Sequence, residues 1–225
     1  MAEMGLSGRD VLVFGASGAL GTAVAASFAE MGATVRGADR QEPSAAHRLS
    51  GVTYETVDVL DDGALGRLFD SAPAPWAVVN TIGGFAPERP LAELDAAELR
   101  QQLELNLISA ALITKHALRV MQPAGHGRIV HTASRSAVVT QGAGFAYSVS
   151  KLGVLHLVSM AADEVRRTGI TVNCVVPSII DTPANRAAMP SANHDAWPKP
   201  HDIAASYLYL AGPGAGLVNG ATIPV

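Results

Sequence analysis

Residues 10–30 read D-V-L-V-F-G-A-S-G-A-L-G-T-A-V-A-A-S-F-A-E. The first five are a short apolar run of the kind a buried strand uses. A glycine-rich turn follows, Gly15–Gly21 in G-x-x-G-x-x-G spacing, and the alanine-rich segment beyond it is a good helix former. Strand, glycine turn and helix in this order give such a turn chemical meaning. Its glycines allow a tight turn and bring backbone N–H groups up to a pyrophosphate at the helix N-terminus. On this reading Gly15, Ser17, Gly18, Ala19, Leu20 and Gly21 form a cofactor-binding turn.

The same alternation continues outward. A second strand, A-T-V-R-G-A, ends at Asp39, eighteen residues past Gly21. A carboxylate there accepts hydrogen bonds from ribose hydroxyls and repels a 2′-phosphate, which favours NAD(H). Arg40 beside it is the kind of group that accommodates the extra phosphate, so NADP(H) stays open. A third strand, residues 52–57, leads to Asp58 and Val59, where Asp58 either touches an adenine or caps a turn. W-A-V-V-N-T-I-G-G-F places Asn80, Gly83 and Gly84 after a fourth strand, where small residues let a nicotinamide riboside lie against the backbone.

The segment Leu94–Met121 has helical periodicity and sets Asn106 among leucines. That amide is either a prop for a water near a lysine or a satisfied core group. A fifth strand, residues 127–133, delivers Ser134, and the helix bearing Tyr147 and Lys151 is expected to run to about Thr168. I-T-V-N-C-V-V-P is the sixth strand, stopped by Pro177, with Ile180 and Thr182 beyond it on the carboxamide side of a cofactor. A helix near His201–Ala211 and a strand near A-T-I-P-V close the chain.

Strands alternating with helices imply right-handed crossovers and a parallel sheet. The expected fold is α/β: a single-domain, Rossmann-type doubly wound sheet of about seven strands over residues 1–225, with helices on both faces. Ligands bind beyond the carboxyl ends of such strands. Gly15, Asp39, Asn80, Ser134 and Pro177 all fall there. The proline-rich stretch Pro183–Pro200 reads as a substrate-side flap.

Tyr147 and Lys151 stand at i and i+4, so they share one helix face. A phenol ordinarily titrates near 10, and a cation one turn away is expected to pull that value down. A fall of roughly three units corresponds to about 4 kcal/mol. With Ser134 hydrogen-bonding a substrate oxygen, the set makes a proton-transfer device.

Bulk properties narrow the rest. Hydrophobic residues at 48% and charged ones at 16% exclude a disordered chain. A net charge of -4 without a Lys/Arg cluster argues against a nucleic-acid partner. The one cysteine, Cys174, rules out an internal disulfide and reads as a buried thiol, and the seven histidines lack metal-ligand spacing. No basic-then-apolar leader is seen, and no apolar run is expected to reach membrane-span length, so the cytoplasm is the expected compartment and no membrane partner is expected.

Over nearly the whole chain these residues resemble the short-chain dehydrogenase/reductase family. The resemblance is carried by G-A-S-G-A-L-G, Asp58, N-T-I-G-G, Asn106, Ser134 with Tyr147 and Lys151, and V-N-C-V-V-P. It implies a general acid/base at Tyr147, a carbonyl-orienting Ser134, a Lys151 that binds the nicotinamide ribose and lowers the tyrosine pKa, and a proton relay completed by Asn106. It also implies a small carbonyl or alcohol substrate and a homodimer or homotetramer built on the helices after Leu94 and Tyr147. The glycine spacing and D-T-P-A-N-R-A-A-M-P followed by Trp are similar to dihydropteridine reductases, but those generally lack a serine at the Ser134 position. The alternative from another class is a catalytically silent nucleotide sensor, which has no need of the Ser134/Tyr147/Lys151 set.

Overall fold

The computed structural model describes residues 5–85, 90–139 and 144–225. Residues 140–143, inside the stretch from Ser134 to Lys151, and the first four residues, part of the leader reading, lie outside the described set.

Among the described residues the elements run β1 (Asp10–Phe14), α1 (Ala19–Glu30), β2 (Thr34–Asp39), β3 (Val52–Thr56), α2 (Asp62–Asp70) and β4 (Ala77–Asn80). Then come α3 (Ala96–Gln102), a π-helical turn (Leu103–Ile108), α4 (Ser109–Ala124), β5 (Gly127–Thr132) and α5 (Phe145–Glu164). β6 (Ile170–Val176), α6 (Pro183–Ala188), α7 (Pro200–Ala211) and β7 (Thr222–Pro224) complete the chain. The seven strands form one parallel sheet in the order β3-β2-β1-β4-β5-β6-β7. The order reverses between β1 and β4, which is where a doubly wound sheet opens a crevice at its carboxyl edge.

Period-two alternation along β1 sorts the core into two layers. Leu12 and Phe14 face α2, α4 and α5 together with Ile113, Met121, Val154 and Val158. Val11 and Val13 face α1 and α7 together with Val24, Phe28, Ile203 and Tyr207. Each such fully buried side chain contributes roughly 1.5–3 kcal/mol relative to exposure.

Three expectations are corrected. The helical stretch from Leu94 is not one helix: α3 passes into the π turn at Leu103 and resumes as α4, and the widened turn carries Asn106. The tyrosine helix stops at Glu164 rather than near Thr168, and the chain turns through Arg167 and Gly169, both at positive φ, into β6. α5 is also long and apolar enough by composition to cross a membrane, with a mean hydropathy of 1.3 over its most apolar window. Its inner face is core, while Val149, Leu152 and Met160 leave apolar side chains on its outer face as well.

The start of α1 is set by close backbone approach. Gly15 sits at φ +78°, and its carbonyl accepts from the Gly18 N–H at 3.0 Å. A Cβ on Gly21 would fall 2.0 Å from that same carbonyl oxygen and 2.7 Å from Thr81 Oγ1. Gly21→Ala therefore pushes the first turn of α1 off the β1 turn. The expected loss is about 1–3 kcal/mol, read as a lower midpoint in chemical denaturation, with weaker cofactor binding alongside.

Candidate active site

The crevice at the β1/β4 reversal is lined by seven of the seventeen residues expected to hold a cofactor. Gly15, Gly18, Asp39, Arg40, Asp58, Val59 and Gly83 border it. α1 begins there with Gly18 as N-cap, no side-chain cap and no acidic residue in the first turn. The first N–H groups of a helix have no partner within it, so those of Ala19, Leu20 and Gly21 are donors aimed along the helix axis. This uncapped positive end, with no Cβ at Gly18, fits a pyrophosphate.

Asp39 stands at the end of β2 and is ordered by two backbone donors. Its Oδ2 accepts from Ser17 N at 3.1 Å and its Oδ1 from Arg40 N at 2.7 Å. Ser17 uses its hydroxyl to donate to the Gln41 carbonyl at 2.9 Å, so its side chain fastens the turn. Arg40 is exposed beside them. Asp58 caps its own turn, accepting from Leu60 N at 3.0 Å, and also borders the crevice. Leu20 and Gly21 are buried, and Asn80 lies behind the crevice wall. Asn80 Oδ1 accepts from Ile82 N at 3.0 Å, shaping the Gly83–Gly84 turn.

The second group of residues gathers at the ends of β5 and α5. Ser134 follows β5, and its side chain lies close enough to the phenol of Tyr147 to lower that group's pKa. Ser136 steadies that hydroxyl, donating from Oγ at 3.0 Å and from its N–H at 3.3 Å. Lys151 lies one turn below Tyr147, is 3% exposed, and donates from Nζ to the Thr132 carbonyl at 2.9 Å. Burial lowers its pKa to about 8. The two groups meet at Gly83, where a Cβ would stand 2.7 Å from Lys151 Nζ and 3.1 Å from Asn106 Oδ1.

The tyrosine does not behave as its helical spacing suggests. Its pKa is raised, because burial of the phenol outweighs the lowering from nearby Ser134. The lysine that was expected to lower it directs its ammonium to Thr132 instead. Asn106 proves to be a satisfied amide at 1% exposure. Its nitrogen reaches Gln102 Oε1 at 2.9 Å, Ser150 Oγ at 3.0 Å and the Gly84 carbonyl at 3.3 Å, while its oxygen accepts from Gly84 N at 3.2 Å. Ser150 in turn donates to the Tyr147 carbonyl at 2.7 Å.

Pro177, Ile180 and Thr182 lie past β6 and outside the crevice lining. The Pro177 carbonyl accepts from Arg135 N at 2.9 Å, which ties this loop to the Ser134 turn. Ile180 offers its carbonyl to Asn185, and Thr182 caps α6 by accepting from Asn185 N at 3.2 Å. The Pro183–Pro200 stretch is thus a short helix followed by turns, pinned by Asp181 N donating to the Pro198 carbonyl. Cys174 is buried, and burial pushes its thiol up to about 12.

Sequence reasoning missed Phe85, whose ring meets that of Tyr147 edge-on with centroids 5.5 Å apart. It also passed over Thr81, whose hydroxyl donates to the Phe14 carbonyl at 2.8 Å, and Ser150. The N-T-I-G-G-F run was the available signal, since a large aromatic directly follows the paired glycines.

His131 is the remaining buried titratable group here. It bridges Asn80 Nδ2 at 3.3 Å and Thr114 Oγ1 at 2.8 Å. Burial first, and the Lys151 charge second, hold its pKa near 4 rather than 6.5. The unfolded chain takes up this proton near 6.5 and the folded chain only near 4. Stability from this group is therefore present above pH 6.5 and lost as pH falls toward 4, by up to about 3 kcal/mol. A His131→Asn variant should show a flatter stability profile across that window in urea titrations at stepped pH.

A family model described as enoyl-(acyl carrier protein) reductase matches residues 15–225. The cis-4-hydroxycyclohexanecarboxylate dehydrogenase of Sinomonas cyclohexanicum is 35% identical over 96% of this chain and 94% of its own length. Momilactone A synthase of Oryza sativa subsp. japonica is 32% identical over 98% of this chain and 89% of its own. Among solved structures, a short-chain type dehydrogenase/reductase from Mycobacterium ulcerans superposes with a TM-score of 0.89 at 26% identity, covering 98% of this chain and 89% of that one.

Proposed function

The chain belongs to the short-chain dehydrogenase/reductase family, NAD(P)-dependent oxidoreductases of alcohols and ketones, and from that premise we propose that Tyr147 is its general acid/base, with Ser134, Lys151 and Asn106 as partners. The observation that carries the reading is the gathering of Ser134 and the Tyr147 phenol, which influence one another, beside a buried Lys151 that abuts Gly83 on the crevice wall.

A nicotinamide cofactor, when bound, carries the hydride to or from the carbinol carbon. The chain supplies binding, orientation and the proton. Asp39 and the α1 N-terminus hold the adenosine and pyrophosphate end, and Gly83 leaves room for a ribose against Lys151. In the reducing direction Tyr147 donates its phenolic proton to the substrate carbonyl oxygen, and Ser134 donates a hydrogen bond to the same atom. In the oxidising direction the phenolate takes the alcohol proton back. A cation moved from Thr132 toward a bound ribose would favour that phenolate, opposing the rise that burial imposes. Asn106 keeps the glycine turn at the distance these contacts need.

Ser134 beside the phenol favours a carbonyl or alcohol substrate over a dihydropteridine. Two relatives are named cis-4-hydroxycyclohexanecarboxylate dehydrogenase and borneol dehydrogenase, which supports a ring-bearing secondary alcohol. We read the Pro183–Pro200 segment as the substrate-side flap, since its anchor at Thr182 adjoins the loop that bonds the Ser134 turn. The assembly is read as a homodimer or homotetramer on the helices after Leu94 and Tyr147, where Ile108, Val149, Leu152 and Met160 stay exposed in the monomer.

Replacing Tyr147 by Phe removes the proton donor and keeps the ring. Turnover should fall by roughly 10²–10⁴-fold while NAD(H) affinity holds, measured by cofactor absorbance and by fluorescence titration. Tight binding of NADH by the wild type with no turnover on any alcohol or ketone would instead support the sensor reading. Asp39 is proposed to set the preference for NAD(H). Asp39→Ser, with Arg40 left in place, should move the NADPH/NADH ratio of kcat/KM upward by about tenfold or more, since a close like-charge contact is worth over 1.4 kcal/mol.

A further inference from the structure

The edge of the sheet around Tyr147 carries exposed apolar side chains that the fold does not use, and we infer that Phe85 is a specificity-determining residue, seating the apolar ring of a bulky secondary alcohol or ketone. This rests on the reading of Tyr147 as the proton-transfer group.

Phe85 follows the Gly83–Gly84 turn at the end of β4. Its ring meets the phenol at an interplanar angle of 70° with centroids 5.5 Å apart, an edge arrangement that fixes the aromatic pair. It is nonetheless 64% exposed. A phenylalanine gains its large contribution to stability only when buried, so folding leaves most of this surface unspent. Val138 and Val139 follow the Ser134 turn and Ile179 follows β6, and all three are exposed too. Exposed apolar residues scattered singly are ordinary. These four stand on the loops that follow β4, β5 and β6, and Phe85 is the one whose ring meets the phenol.

The chemistry then fixes the pose. The substrate oxygen must lie at the Ser134 and Tyr147 hydroxyls, so the substrate body extends against whatever flanks the phenol. Phe85 is that flank. A six-membered ring attached at the carbinol carbon is wide enough to cover the face of Phe85, while a three-carbon alcohol leaves most of it in water. The turn that carries Phe85 is held by Asn106 through both backbone groups of Gly84, the residue next to it.

The test uses cyclohexanol and 2-propanol with NAD+ and with NADP+, on the wild type, Phe85→Ala and Phe85→Leu. The wild type should favour cyclohexanol over 2-propanol by about 100-fold in kcat/KM. Phe85→Ala should shrink that ratio by about tenfold, through KM for cyclohexanol, and Phe85→Leu should restore most of it. A ratio unchanged in Phe85→Ala overturns the inference, as does a loss confined to kcat on both alcohols, which would mean that Phe85 acts only through Tyr147. If the wild type oxidises neither alcohol, these two are not its substrates and the oxidoreductase reading is judged on the wider panel of alcohols and ketones. Saturation-transfer NMR with cyclohexanone then decides the present inference on its own. Transfer seen in the wild type and lost in Phe85→Ala upholds the apolar seat, and equal transfer in both, or none in the wild type, overturns it.

Discussion

Burial of the Lys151 ammonium is the constraint that orders this site. An isolated cation in a protein interior is several kcal/mol less favourable than in water unless other groups replace its solvation. Here the Thr132 carbonyl supplies one such contact, and the pKa still falls to about 8. That contact requires β5 to end where it does. Thr132 is itself held by its hydroxyl, which donates to the Asn80 carbonyl at 2.7 Å and is hydrogen-bonded to Tyr207 at 2.7 Å. Tyr207 belongs to α7 in the opposite core layer, so one buried charge ties both faces of the sheet to the strand end.

The strands were legible in the chain because a parallel sheet covered on both sides needs nearly continuous apolar runs. D-V-L-V-F, A-V-V-N and I-T-V-N-C-V-V carry that signature, and β1, β4 and β6 lie where those runs stand. The crevice was legible too, since Gly15, Asp39 and Gly83 are strand-end residues of unusual type. The π turn at Leu103–Ile108 was not. Single-residue patterns over six residues are too short to mark a π turn, and only the buried Asn106, which needs partners, hints that the helix widens there. Phe85 was hidden for a different reason. Whether an aromatic after a glycine pair turns inward or stays at the rim is decided by tertiary packing.

The tyrosine shows how far spacing alone can carry a pKa argument. Residues at i and i+4 share a face, and Tyr147 and Lys151 do so. The direction of the shift, however, depends on where the ammonium points and on how dry the phenol is. With Nζ on Thr132 and the ring against Phe85, burial prevails and the phenol is held protonated. That is the form a proton donor needs for carbonyl reduction, whereas alcohol oxidation needs the phenolate. If Tyr147 is the proton-transfer group proposed above, the two directions ask different things of Lys151, and a protonated phenol suits the first.

Gly83 is where these demands converge. It borders the crevice, and a side chain there would strike Lys151 Nζ at 2.7 Å and crowd Asn106 Oδ1 at 3.1 Å. An alanine would thus separate the lysine from the crevice and loosen the amide that holds the turn. The nucleotide half and the acid/base half come from different ends of the chain, β1 to β3 on one side and β5 with α5 on the other. In the proposed mechanism they form one site because a single residue between them, Gly83, has no side chain to separate the crevice from the buried cation.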